Sequence, residues 1–274
     1  MFKIIIMALL IFIGMVGYDN ITDKAQPTTP VQQEQQKISK HEKSAAMALF
    51  TSLLPPKEEW PSPVHKFYLA FNMDEVIDPI RQNPNWTSLD AMSRDIPQAL
   101  IAIEDHAFYN HGAIAVEGIL RAALANINAG EVVQGGSTLT QQFVKNVFLS
   151  HEQSMERKIE EAVLSLMLED NYSKDEILEL YLNTTYFGAG STGIKQASKT
   201  YFGKAPSALT LAEAAVIASL PYAPTGLNPL ENPEGCKKRQ LLVLAAMHKY
   251  GMINQGQLAE AKAEKIRLTN GTVM

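Results

Sequence analysis

The chain opens with an unbroken apolar run, Ile4 to Gly17, behind a single basic residue, Lys3. A spanning helix needs about 20 apolar residues, so this run lies between a signal-peptide core and a short anchor. The run ends Gly14-Met15-Val16-Gly17-Tyr18-Asp19, without a small-x-small cleavage site, which favours an uncleaved anchor over a cleaved signal. Lys3 before the run, with Asp19 and Asp23 after it, orients the N-terminus toward the cytoplasm and the rest outward. We assign residues 1–18 to the anchor and 19–60 to a polar linker with a short helix. The linker (AQPTTPVQQEQQ) holds too few large apolar residues to bury a core. Ala45 to Leu54 is its short apolar segment, stopped by Pro55-Pro56. From Trp60 to Asn85 the signals are mixed, with short strand or irregular structure expected around Phe67 to Phe71.

From about Ile96 the pattern turns helical. Pro97 to Ile103 is apolar on every face, which predicts a buried helix. Thr138-x-x-Gln141 matches a capping box, and Leu139, Phe143, Val144, Val147 and Phe148 follow at helical spacing. Ile159, Ala162, Val163, Leu166 and Met167 form the next apolar stripe. Ser173-x-x-Glu176 and Thr210-x-x-Glu213 are further capping boxes; the first opens a helix to about Leu182, and Pro221 ends the second. A last helix runs from about Gly235 to Tyr250, closed by Gly251. No alternating strand pattern of useful length follows residue 96, and no internal repeat is visible. The economical reading is one mostly α domain over 61–270.

Composition narrows the function classes. The 274 residues carry a net charge of -5, with 46% hydrophobic residues, so a generally basic nucleic-acid-binding surface is not expected. The single cysteine, Cys236, excludes an intrachain disulfide, and no cysteine follows the apolar run to carry a lipid.

Four constellations carry candidate chemistry. Glu104 and Asp105 end the apolar run Leu100 to Ile103; a carboxylate there is partly desolvated and suited to acid–base work, or merely caps the helix. Gly135-Gly136 precede a capped helix whose first N–H groups could hold an anion. Along that helix Thr138, Gln141 or Gln142, and Lys145 recur at three- and four-residue steps, a polar face or a solvated one. No Gly-Lys-Ser/Thr follows, which disfavours nucleotide binding. Arg157 and Lys158 surround Glu161 at i,i+4 and i,i+3, and alone this reads as a surface ion pair. Ile114 to Ile127 (IAVEGILRAALANI) carries only Glu117 and Arg121. It suits a core helix, or an apolar surface for a lipid-linked substrate.

The motifs EDxxFxxH, GGSTLTQQ-x-x-KN, RKxxE, KDEILELYLN-x-x-YFG and LTLAEAA occur here in that order, over about residues 86 to 255. In this the chain resembles the peptidoglycan glycosyltransferases, the family-51 transglycosylases. These occur as monofunctional enzymes and as the N-terminal half of class A penicillin-binding proteins. The resemblance implies a lysozyme-like fold of two helical lobes behind an N-terminal membrane anchor. By their place in the motifs it implies Glu104 as catalytic base and Glu161 as a second essential glutamate. Asp105, Phe108, His111, Ser137, Thr138, Gln141, Lys145 and Asn146 fall in its substrate-contacting stretches. Arg157 and Lys158 match its cations near the pyrophosphate, and Asn183 and Arg239 its supporting residues.

The implied reaction joins a lipid-linked glycan to the disaccharide-pentapeptide of lipid II, inverting the anomeric carbon and releasing undecaprenyl pyrophosphate. It would run on the outer side of the cytoplasmic membrane, with other cell-wall synthesis proteins as further partners. No cofactor is required; Mg²⁺ or Mn²⁺ could assist, but no His/Asp cluster has dedicated ligand spacing. The chain departs from the family at Ala113 and Ala115, after His111-Gly112, where an Asp is usual. Tyr222 stands where a Lys is common, and Gln240 where a second Arg is common. The alternatives are a lysozyme-like enzyme that cuts glycan with one acidic residue, and a non-catalytic scaffold. The chain leaves no room for a transpeptidase domain after the last helix, so either a monofunctional enzyme or a truncated chain is expected, and the N-terminal methionine favours the former.

Overall fold

A computed structural model of the chain describes residues 68–69, 72–119, 127, 135–149 and 154–274. The expected anchor and linker lie outside the described residues. The chain divides into two compact units, Met1–Met73 and Asp74–Met274. In the first, Tyr68 and Leu69 are helical, and the Asn72 N–H bonds back to the Tyr68 carbonyl at 3.1 Å. The strand expected around Phe67 to Phe71 is therefore helix at the two residues seen.

The second unit is helical, with no named strand among the described residues. Its two isolated antiparallel bridges join Tyr186 to Thr192 and Arg267 to Val273. The helices are α1 (Asp74–Arg81), α2 (Asp95–Glu104), α3 (Leu139–Phe148), α4 (Met155–Asn171) and α5 (Lys174–Thr184). They continue with α6 (Ile194–Phe202), α7 (Leu211–Ser219), α8 (Pro233–Lys249) and α9 (Gln255–Ala263). No helix among the described residues is long and apolar enough to cross a membrane.

Start and stop signals account for most of these boundaries. Thr138, Ser173 and Thr210 each close a complete capping box at the head of α3, α5 and α7, as their spacing predicts. Asn254 with Gln257 forms a fourth at α9. Asn232 caps α8 by accepting from the Gly235 N–H, which starts that helix at Pro233, two positions before Gly235. At its end Gly251 takes φ +73, while Gly251 N–H bonds to His248 O and Met252 N–H to Met247 O. That pair is a Schellman motif.

The helices pack in two groups, which hydrogen bonds from the end of α2 to α3 join. In one, α7 is buried from Ala212 to Ser219 and packs on both α2 and α8, with α9 covering α8. In the other, α3 packs against α4 and α5. The apolar stripe of α4 differs from expectation. Ile159 is exposed and Ala162, Val163 and Leu166 are only half-buried, while Met167 is buried as expected; the inward face is Glu161, Leu164, Ser165, Met167 and Leu168. These residues share one helix face by their three- and four-residue steps. Turned this way, α4 carries a carboxylate inside.

Candidate active site

Glu104 is the last residue of α2, delivered by the buried turn Ala99 to Ala102. Its Oε2 accepts from Gln142 Nε2 at 3.1 Å, and no residue described hydrogen-bonds its Oε1. The Tyr181 hydroxyl donates to Gln142 Oε1 at 3.0 Å. That bond fixes the amide, because a reversed amide would set its carbonyl oxygen against the carboxylate. Burial pushes the Glu104 carboxyl above its usual range, and Asp105 pushes the same way. The Gln142 bond and the charges of Arg239 and Lys145 act against that rise. The site thus offers a carboxylate with raised proton affinity, one oxygen held and the other open.

Sequence reasoning carried Gln141 rather than Gln142 into the site, and did not single out Tyr181. The structure buries Thr138 and Gln141 in the capping box: Gln141 N–H donates to Thr138 Oγ1, and Thr138 N–H to Gln141 Oε1, both at 3.1 Å. Thr138 Oγ1 also donates to the Ala113 carbonyl at 2.8 Å. These two side chains are therefore engaged in building α3. Gln142, with the exposed Lys145 and Asn146 at three and four residues further, forms the open polar face.

Asp105 caps α2 and joins it to α3. One oxygen accepts from the Leu139 N–H at 3.0 Å, the other from His111 Nε2 at 2.6 Å. The anion expected at the head of α3 is thus supplied, at that N–H, by the chain's own Asp105. His111 Nδ1 lies 2.6 Å from the Gly112 carbonyl. Two acceptors face the two ring nitrogens, so the imidazolium satisfies both. The Asp105 bond, more than any other contact, holds the His111 pKa above its ordinary value, against burial. Asp105 and His111 work here as a clamp on the loop after α2.

On α4, Glu161 is 1% exposed. It pairs with Lys158 through Oε1 and faces Arg157 at 3.6 Å through Oε2. Lys158 Nζ also donates to Ser137 Oγ at 3.2 Å, tying the cations to the residue before the α3 cap. The surface ion pair expected from spacing is therefore a buried carboxylate beneath two cations. Arg157 Nε has no hydrogen-bond partner although it is buried.

Other candidates lie elsewhere. Phe108 is fully buried beneath Lys174, whose Nζ stands 4.5 Å from the ring centre, so it anchors the loop. Asn183 brackets Thr87, accepting from its N–H at 2.8 Å and donating to its carbonyl at 2.9 Å. Gln240 is buried and donates to the Ala212 carbonyl at 2.8 Å, which turns it into the α7 interface. Arg239 on α8 is felt by Glu104 and rests on the Tyr222 ring. Of the 114–127 segment, Val116, Ile119 and Ile127 are exposed, against the core-helix reading at those positions; Met155 and Ile159 are exposed on α4. Among the described residues no group of three or more His, Cys, Asp or Glu could hold a metal ion.

A family model described as Transglycosylase matches residues 73–248. A protein of Cupriavidus necator described as a transglycosylase is 40% identical over 194 residues, covering 71% of this chain and 84% of that protein. Penicillin-binding protein 1A of Neisseria flavescens is 44% identical over 185 residues, 68% of this chain and 23% of its own length. Penicillin-binding protein 2D of Bacillus subtilis is 44% identical over 181 residues, 66% of this chain and 26% of its own. The chain spans about a quarter of these two penicillin-binding proteins.

Proposed function

The chain belongs to the transglycosylase family, and from that premise we propose that it is a peptidoglycan glycosyltransferase using Glu104 as its base. The observation that carries this reading is the Glu104 carboxyl itself. Burial raises its proton affinity, Gln142 holds one oxygen, and cations on α3 and α8 stand within electrostatic reach.

Glu104 takes the proton from the 4-hydroxyl of the lipid II sugar. That oxygen bonds to the anomeric carbon of the growing lipid-linked chain, inverting it to a β-1,4 link. The anomeric bond to pyrophosphate breaks, and its electron pair leaves with undecaprenyl pyrophosphate. Lys145, Arg157, Lys158 and Arg239 supply the positive charge that a developing pyrophosphate needs, since prepositioned cations stabilise charge as it develops. Glu161 sits beneath Arg157 and Lys158 and orients them. The lysozyme-like, two-lobed arrangement implied by the motifs suits a cleft between the two groups of helices. The exposed Val116, Ile119, Ile127, Met155 and Ile159 suit a membrane-facing surface for a lipid-linked substrate. The domain would then lie outside the cytoplasmic membrane, held by the segment at 1–18. Mg²⁺ or Mn²⁺ would be accessory, bound through the pyrophosphate.

The test is incubation of the purified full chain with lipid-linked disaccharide-pentapeptide, in parallel with purified sacculus. Wild type should form glycan polymer and release no fragments from sacculus. E104Q should lower polymerisation by about 10²- to 10⁴-fold, the range for removing a general base. Undiminished polymerisation by E104Q would sink this reading, and fragment release would replace it with a lytic one.

A further inference from the structure

The turn after α7 carries an aromatic ring that the mechanism above does not use. Tyr222 is 66% exposed, yet its ring lies beneath the Arg239 guanidinium, whose Cζ is 4.2 Å from the ring centre. Arg239 Nε is buried without a hydrogen-bond partner. No hydrogen bond or ion pair to a described residue holds the Arg239 side chain, so its contact is the ring. A guanidinium held over an aromatic face by this contact keeps N–H donors for an anion.

The ring has a fixed base. Pro221 cannot continue α7, and the Ala223 N–H closes the turn onto the Leu220 carbonyl at 3.1 Å. Asn232 Nδ2 holds the Gly226 carbonyl at 2.9 Å. The Pro224 carbonyl presses so closely on Gly188 that a Cβ there would lie 2.2 Å from it. The turn is therefore wedged between α8 and the loop that follows α5. On the other side, α8 packs along α2, whose last residue is Glu104.

We propose that Tyr222 is a positioning residue, its ring fixing the Arg239 guanidinium beside the Glu104 end of the cleft, where it meets substrate anion. The inference rests on the function proposed above and adds to it the device that aims one of its cations. A flexible ammonium at position 222 would repel Arg239; the ring attracts it instead.

The charged and titratable groups that bear on Glu104 are Asp105 on its own element, Lys145 on α3, Arg239 on α8 and the Tyr181 phenol on α5. Arg239 opposes the rise in the Glu104 carboxyl, so loosening it raises proton affinity further. Carboxyl-carbon NMR titration of Glu104 in the full chain reads this without any turnover. Y222L should shift the Glu104 titration upward in the same direction as R239A, and Y222F, which keeps the ring, should not. In an R239A background Y222L should shift nothing more. In the polymerisation assay Y222L should lose about two- to fivefold in kcat/KM, the worth of an exposed cation–π contact. A wild-type titration in Y222L, a Y222F shift equal to that of Y222L, or a Y222L shift that persists in R239A would each overturn the proposal. Absence of polymer with wild type would instead sink the functional reading, while the titration still judges the pair.

Discussion

Glu104, Gln142 and Tyr181 form a relay in which each group has one available orientation. The phenol donates to the amide oxygen, the amide donates to the carboxylate, and the second carboxylate oxygen stays open. Hydrogen bonds to charged groups are worth about 1.5–3 kcal/mol. The Gln142 bond stabilises the ionised carboxylate, so Q142L should raise proton affinity at Glu104. The acid limb of the kcat/KM profile should then move to higher pH, with a roughly ten- to hundredfold loss below it. A profile that keeps its limb but falls uniformly would mean that Gln142 contacts substrate instead. The spacing admits either Gln141 or Gln142 on the polar face of α3. Once Thr138-x-x-Gln141 is read as a capping box, Gln141 is committed to backbone, and the free amide must be its neighbour. Both facts were in the sequence, but position in a motif does not say which of two adjacent glutamines faces the cleft. Nor does spacing reveal that Glu161 turns inward, because the apolar residues on α4 suggest a different face.

At the scale of elements, the helix starts were the legible part, since a capping box is a local chemical event complete within four residues. Loops were not, because their partners are distant in sequence. Asp105 finds Leu139 and His111, and Asn183 finds Thr87, pairings that no local pattern announces. The Asp105–His111 clamp makes stability depend on pH. The imidazolium satisfies both of its acceptors, so the clamp is complete below the ordinary His value of about 6.5. It is lost as pH rises through the higher native value. Thermal melts of wild type should therefore weaken as pH rises above the ordinary His value of about 6.5, and H111Q should lack that component. A parallel decline in H111Q would assign the slope to other groups. The loop after α5 makes a second case. Gly188 has φ +86, and a Cβ there would lie 2.2 Å from the Pro224 carbonyl and 2.9 Å from the Tyr201 hydroxyl. G188A should cost about 2–4 kcal/mol. Gly190 has φ +70 with nothing within 4 Å, and G190A should cost only about 1 kcal/mol. Equal costs would show that backbone conformation, not the close approach, sets the penalty.

At the scale of the whole molecule, the helical class was legible from periodicity, but the meeting of two helix groups was not. Glu104 of α2 is joined to Gln142 of α3 and feels Lys145 of α3 and Arg239 of α8, while Glu161 of α4 is tied to the residue before the α3 cap through Lys158. Only packing brings such distant segments together, which is why the ordered motifs, rather than spacing, pointed to them. The positive charge of the site comes from side chains on three helices, so protein cations should carry most of the anion stabilisation. K145A should lower kcat by about 10²–10³, whereas excess EDTA should leave most of the polymerisation rate. A chelator effect as large as the K145A effect would make a divalent ion an essential part of the centre.

The placement of Glu104 on the final residue of α2 has one more consequence. Aligned peptide dipoles leave the C-terminal end of a helix partly negative, an effect worth about 0.3–1 kcal/mol on a nearby charge. Burial already disfavours the Glu104 anion, and the field of its own helix adds to that. Asp105, one residue on, is engaged instead by the His111 ring and by the Leu139 N–H at the head of α3. Two adjacent carboxylates thus sit at one helix terminus with opposite fates. The neighbour serves as a structural bridge, while α2 itself favours the state in which Glu104 has just accepted a proton.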